Sequence, residues 1–157
     1  MSDLERKREI IDSLGAYISA PSGKSMRPML RGERDTVRIE KYEGRLRRYD
    51  VALYERGGKH VLHRVVRVRK DSYVFRGDNC DYTEHGITDE MIVGRLVGFW
   101  RDERYISSDA RLYRLYARVH TALYPLRFLR MRALRFLRRL LSRIPFLRAL
   151  WRRLLRR

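Results

Sequence analysis

Ser25, His63 and Asp78 are the residues whose types could break a covalent bond together. A hydroxyl becomes a nucleophile when a base takes its proton. The base in turn needs a partner that fixes its tautomer and stabilises its charged form. Each of the three lies in a distinctive short stretch. Ser25 sits in Gly23-Lys24-Ser25-Met26-Arg27-Pro28-Met29-Leu30, His63 in His63-Arg64-Val65-Val66, and Asp78 in Arg76-Gly77-Asp78-Asn79. Residue type alone is weak evidence, since a chain of this length contains all three. Strand alternation also puts His63 beside Val61 and Val65, where a histidine can simply be packed in a core. Other chemistries find less support. A single Cys80 and the scattered His60, His85 and His120 give no metal-ligand spacing. Gly23-Lys24-Ser25 has Ile18 where a phosphate-binding loop needs its upstream glycine. No metal and no cofactor are expected.

The elements that must position these residues can be read from periodicity. Residues 4–18 repeat Leu4, Ile11, Leu14 and Ile18 near helical spacing, which predicts an amphipathic helix. Pro21, Gly23, Pro28 and Gly32 make residues 20–32 a loop. Strands are predicted at 36–41, 50–54, 61–69, 72–76 and 91–100, and Gly57-Gly58 marks a hairpin between the second and third. With no helix between the strands, the fold class is mainly β, a curled antiparallel body. Helical spacing returns after Ser108. Leu112, Leu115, Tyr116, Val119 and Leu123 form one predicted face, Pro125 interrupts it, and 126–144 and 146–157 follow. The expected organisation is an N-terminal helix at 1–19, a β domain at 20–105 and an amphipathic helical tail at 106–157.

The ordered series S-M-x-P-x-L, D-V-x-x-Y, H-R-V-V, R-G-D-N and V-G-R-L-V-G, over about residues 20–100, resembles the signal peptidase and LexA-like serine peptidase superfamily. It is most similar to the archaeal and endoplasmic-reticulum type, which uses histidine as its base. The resemblance implies a signal-peptidase-like β-fold that cleaves a peptide or protein substrate. By position it makes Ser25 the nucleophile, His63 the general base and Asp78 the acid, with Glu84 and Asp81 as alternative third members. Asp35 and Asp50 match recurrent acids with structural roles, and Met26 and Pro28 would shape the turn that exposes Ser25. Gly23 stands where the family often has a serine that helps the oxyanion hole.

Charge divides the chain after Asp109. Residues 1–109 hold 22 Lys+Arg and 19 Asp+Glu, a net of +3, while residues 110–157 hold 15 Arg and no acid. The segment 126–144 is long enough to cross a bilayer but carries seven Arg. Burying them would cost roughly 17 kcal/mol against about 5 kcal/mol gained from its apolar residues. Lying flat on an anionic membrane surface is the better solution, with Arg127, Arg130, Arg135, Arg138 and Arg139 on the headgroups and Trp151 at the interface. Nucleic acid is disfavoured as a partner, because phosphate binding does not need so large an apolar face. The opening residues lack the apolar stretch of an export signal. The expectation is therefore a peripheral membrane serine endopeptidase at the cytoplasmic face that cuts a leader or signal-like peptide. The competing expectation is an inactive peptidase-fold scaffold that binds membrane or nucleic acid through its tail.

Overall fold

Continuous burial along the third strand shows how the molecule is layered. In Val51–Arg56, Val51 and Leu53 enter one apolar cluster, while Ala52 and Tyr54 enter another on the opposite face of the sheet. A strand buried on both sides needs cover on both sides. The computed structural model, which describes residues 3–142, shows how that cover is arranged.

The sheet has eight antiparallel strands curled into a half-barrel: β1 (Ala16–Ser19), β2 (Thr36–Glu40), β3 (Val51–Arg56), β4 (Lys59–Val68), β5 (Tyr73–Arg76), β6 (Glu84–Ile87), β7 (Ile92–Arg101) and β8 (Arg104–Ser107). Their spatial order is β1-β2-β7-β3-β4-β5-β6, with β8 paired to β7. A mainly β fold is thus present, and all five predicted strands form within a residue or two of their expected ends. Gly57 and Gly58, both at positive φ, close the β3–β4 hairpin with the twist its strands require. The three strands not foreseen, β1, β6 and β8, have only four residues each, too few to show a clear alternation.

The N-terminal helix is shorter than its predicted span of 4–18. Helix α1 covers Asp3–Leu14 and stops at Gly15, whose φ of +76° and N–H bond to the Ile11 carbonyl (2.9 Å) end it. Residues 16–19 then pair with β2 instead. Ile11 enters the core and Leu14 stays exposed. Apolar spacing favoured a longer helix, but pairing along the edge of the sheet overrides it.

The chain divides into two units, Met1–Thr121 and Ala122–Arg157. Helix α2 (Arg111–Ala122), expected as the start of a separate tail, packs within the first by a side other than its leucine stripe. Tyr113, Ala117 and Thr121 are its buried residues, whereas Leu112, Leu115 and Val119 are exposed, as is Leu123 just beyond its end. In the second unit, α3 runs from Tyr124 to Ser142 with Pro125 in its first turn, where a missing N–H costs nothing. Leu126, Leu129, Leu134, Phe136 and Leu137 are exposed on α3, as are Arg130, Arg135 and Arg139, while Arg127 is half-buried. The side chain of Arg138, the segment 146–157 and Trp151 lie outside the described residues. Among the described residues no helix is long and apolar enough to cross a membrane.

Asp35 secures the loop that precedes β2. Its fully buried carboxylate accepts the Arg31 backbone N–H (3.0 Å) and Nε (2.9 Å), and Arg101 stands 3.4 Å away. Burial alone would raise its pKa, but the Arg31 hydrogen bonds and the Arg101 charge outweigh it and hold the carboxyl below 3.8. The folded state therefore binds fewer protons than the unfolded chain. This contribution is complete above pH 3.8 and is lost as pH falls below it. Asp35→Ala is expected to lower the unfolding free energy by about 2 kcal/mol in urea titration at neutral pH. That is less than for a fully buried pair, because both arginines remain about a third exposed. The variant should also lose less stability than the parent on acidification.

Candidate active site

His63 is reached through the β3–β4 hairpin. A two-glycine turn makes residues whose numbers sum to 115 face one another, so Ala52 pairs with His63 and Tyr54 with Val61. Tyr54 and His63 then lie diagonally on one face, and the Tyr54 hydroxyl is 3.2 Å from His63 Nδ1. The next two strands bring up the acid. Val65 pairs with Phe75, and Phe75 with Glu84, so Glu84 shares the face of Val65 and His63. Its Oε1 is 3.1 Å from His63 Nδ1, and Arg56 Nη1 is 3.4 Å from Oε2.

A carboxylate at Nδ1 can only accept, so it assigns the proton to that nitrogen and leaves the Nε2 lone pair open. Burial is the largest influence on the imidazole. It lowers the pKa below 6.5, against the opposing pull of Glu84. Tyr54 is pushed far up by burial and by the neighbouring Glu84 carboxylate, so its hydroxyl remains a donor at every physiological pH. A neutral, oriented imidazole with one free nitrogen has the properties of a general base.

Nε2 points toward Gly77. A Cβ placed on Gly77 would lie 2.8 Å from His63 Nε2, 2.7 Å from the Ser25 carbonyl oxygen and 2.7 Å from Cys80 Sγ. The 2.8 Å and 2.7 Å legs limit the distance between Nε2 and the Ser25 carbonyl oxygen to about 5.5 Å. The Asn79 N–H donates to that same carbonyl at 2.7 Å, and Asn79 Nδ2 donates to the Lys24 carbonyl at 3.3 Å. The Gly77–Asn79 loop thus straps the Ser25 segment beside the imidazole. Met26 is buried under the turn, and the Leu30 N–H closes it on the Met26 carbonyl (2.9 Å). Ser25 itself is half-buried, at the edge of a cleft of about 400 Å³. Ser22, Gly23, His63, Tyr82 and Glu84 line this cleft over a floor of Val37, Ile39 and Leu53.

Asp78 occupies a different place from the one expected. Its buried carboxylate takes both arms of Arg64, Nε to Oδ1 and Nη2 to Oδ2, each at 2.8 Å. The Tyr116 hydroxyl donates to it at 3.2 Å. The group at Nδ1 of the imidazole is Glu84, and the two charges bearing on His63 are Glu84 and Asp78. The reason is the alternation of β4: His63 and Arg64 point to opposite faces, and Asp78 has paired across the Arg64 face. Asp81 is half-buried and is not one of those two charges. Asp50 accepts the Arg47 backbone N–H (2.7 Å) well away from the cleft lining. Among the described residues, no group of three or more His, Cys, Asp or Glu could hold a metal ion.

Sequence reasoning missed Tyr54, Gly77 and Arg64. Tyr54 was available from the hairpin register, and Arg64 from its place beside His63 on the opposite face. Gly77 carried no signal beyond being a glycine. Comparison with known proteins adds no identity, since no protein-family model and no curated protein matches this chain.

Gly77→Ala is expected to cost about 2 kcal/mol of stability by overpacking, because its three closest neighbours are a backbone carbonyl, a buried imidazole and a buried thiol. Thermal denaturation measures this. The His63 ring resonances should shift as the imidazole is pushed aside, while those of His85, on the exposed side of β6, stay in place.

Proposed function

We propose that this protein is a serine endopeptidase of the signal-peptidase-like kind, acting on an extended stretch of a leader or signal-like peptide. The observation that carries the reading is the imidazole of His63, held at Nδ1 by Glu84 and Tyr54, with Nε2 directed at the strap that holds Ser25. The ordered sequence boxes support it further, and the groove beside Ser25 offers an extended chain an apolar floor.

In this reading Ser25 Oγ attacks the scissile carbonyl carbon as His63 Nε2 takes its proton. The tetrahedral oxyanion collapses, the amine leaves with the proton from Nε2, and an acyl-serine remains. A water, deprotonated by the same nitrogen, then hydrolyses the ester. Glu84 stabilises the imidazolium that forms twice in the cycle, and Tyr54 limits rotation of the ring. Asp78 is a positioning residue here, through Arg64 and the strap. Residues 126–142 and those beyond them would hold the enzyme on an anionic membrane surface, at the cytoplasmic face.

Ser25→Ala and His63→Ala should each abolish labelling by a fluorophosphonate serine probe while leaving circular dichroism unchanged. Undiminished labelling of Ser25→Ala would exclude Ser25 as the nucleophile, and a wild-type chain that is never labelled would favour the inactive scaffold. Since burial lowers the His63 pKa, the base stays neutral down to below pH 6.5. The labelling rate should therefore be flat through neutrality and fall on an acid limb whose midpoint lies below 6.5. Glu84→Gln removes the charge that favours imidazolium, so it should move this limb further down and slow labelling by about 10–100-fold.

A further inference from the structure

Helix α2 presents two contrasting faces. Tyr113, Ala117 and Thr121 are buried, and Tyr116 and His120 lie beside them. The opposite side carries Leu112, Leu115 and Val119, which are 81%, 57% and 47% exposed. These three fall within about a sixth of a helical turn of one another at 100° per residue, so they form one narrow apolar ridge. Exposed Arg111, Arg114 and Arg118 run along one shoulder of that ridge. On the same shoulder, Arg114 and Arg118 share a depression of about 210 Å³ with Arg47, Arg48 and Arg95. The acids that line that depression are Asp50 and Asp109, so five arginines stand there against two acids.

We propose that this side of α2 is a second membrane-docking surface, one that belongs to the β-sheet unit itself. The leucine ridge would enter the headgroup boundary of an anionic bilayer while the Arg47, Arg48, Arg95, Arg114 and Arg118 cluster takes lipid phosphates. The pairing of chemistries selects the partner. An apolar ridge alone would fit another protein, and a basic groove alone would fit any polyanion. Three exposed aliphatic side chains beside five arginines suit a surface that is anionic outside and hydrocarbon beneath. The inference depends neither on the peptidase reading nor on the segment 122–157. Its consequence is specific to this fold. Tyr116 joins α2 to Asp78, and Tyr113 stands 3.5 Å from Arg64 Nη1, so a bilayer gripping α2 would hold the cleft in a fixed relation to its surface.

The test is flotation of the full chain with vesicles of phosphatidylcholine alone and of phosphatidylcholine mixed with anionic phosphatidylglycerol. Leu112→Glu/Leu115→Glu should lower partitioning onto the anionic vesicles at least tenfold with unchanged circular dichroism. Arg114→Ser/Arg118→Ser should lower it at low salt and flatten its salt dependence. Leu14→Glu, at an exposed leucine far from the ridge in sequence, should leave it unchanged. Wild-type partitioning by Leu112→Glu/Leu115→Glu would overturn the proposal. If only Arg127→Ser/Arg130→Ser/Arg135→Ser/Arg139→Ser abolished binding, docking would rest on the second unit alone, and the proposal would fall while the tail reading survived. Tight binding to a DNA duplex without partitioning onto either vesicle would assign the arginines to nucleic acid and also overturn it.

Discussion

The two-pronged ion pair between Arg64 and Asp78 is the constraint on which the rest of this molecule depends. It joins a sheet strand, a loop and a helix at one buried point. Arg64 comes from β4, next to His63. Asp78 comes from the loop that straps Ser25. Tyr113 and Tyr116 of α2 cover the guanidinium, with ring centres 5.7 and 5.8 Å from its carbon. Taking two charges out of water is costly, and such a pair contributes to the fold only when every remaining donor finds an acceptor. Here the third arm of Arg64 reaches the Tyr49 carbonyl at 3.0 Å, and Nη2 also contacts Met29 Sδ at 2.8 Å. Burial pulls the guanidinium toward neutrality, but Asp78 more than restores its charge. A hydrophobic pair of the same volume could hold the layers together equally well. It could not fix the angle of the loop, because only a planar fork meeting a carboxylate sets direction as well as distance.

That division of labour explains why two carboxylates near one histidine take different parts. Asp78 spends its oxygens on Arg64 and Tyr116, so its charge is largely compensated where it sits. Glu84 meets the imidazole directly at 3.1 Å and keeps some contact with water, at 13% exposed. The same separation keeps the base useful. A histidine paired with an uncompensated buried acid would be driven toward imidazolium and could accept no proton. Burial, with the Tyr54 ring edge-on to the imidazole, pulls the other way, and burial prevails.

How much of this was legible from residues alone depended on whether the governing contact was local. The β3–β4 hairpin was, because Gly57 and Gly58 fix the turn and the turn fixes the register of His63 against Ala52. The placement of Glu84 was not. It passes through two ladders, β4 to β5 and β5 to β6, and each contains a register shift, between Val65 and Arg67 and between Tyr73 and Phe75. A single shifted residue turns a side chain to the other face, and no pattern in a four-residue strand announces it. Asp78 was the natural choice from its place in the R-G-D-N stretch. The competing attraction of Arg64 could have been weighed, because β4 must turn a charge inward directly after the histidine. Helix α2 shows the same limit. Its leucine stripe is legible from spacing, but which side of the helix packs is not: the sheet took the face whose tyrosines could satisfy a buried arginine.

That choice of face has an electrostatic consequence. Had α2 packed by its leucines, Tyr113 and Tyr116 would point into water, and the Arg64–Asp78 pair would lose its cover. Satisfying the buried charges therefore leaves aliphatic area on the outside. Each exposed leucine forgoes roughly 1.5–3 kcal/mol relative to burial, a penalty that an ordinary solvated helix would avoid by carrying Glu or Lys at those positions. Here the polar positions beside the ridge are arginine, and no acid occurs beyond Asp109 to neutralise them. A helix surface that combines excess positive charge with unburied hydrocarbon is unfavourable in plain water on both counts. Both deficits are relieved together only where anionic groups lie over an apolar phase, so the way the interior is satisfied and the character of the exterior follow from one packing decision.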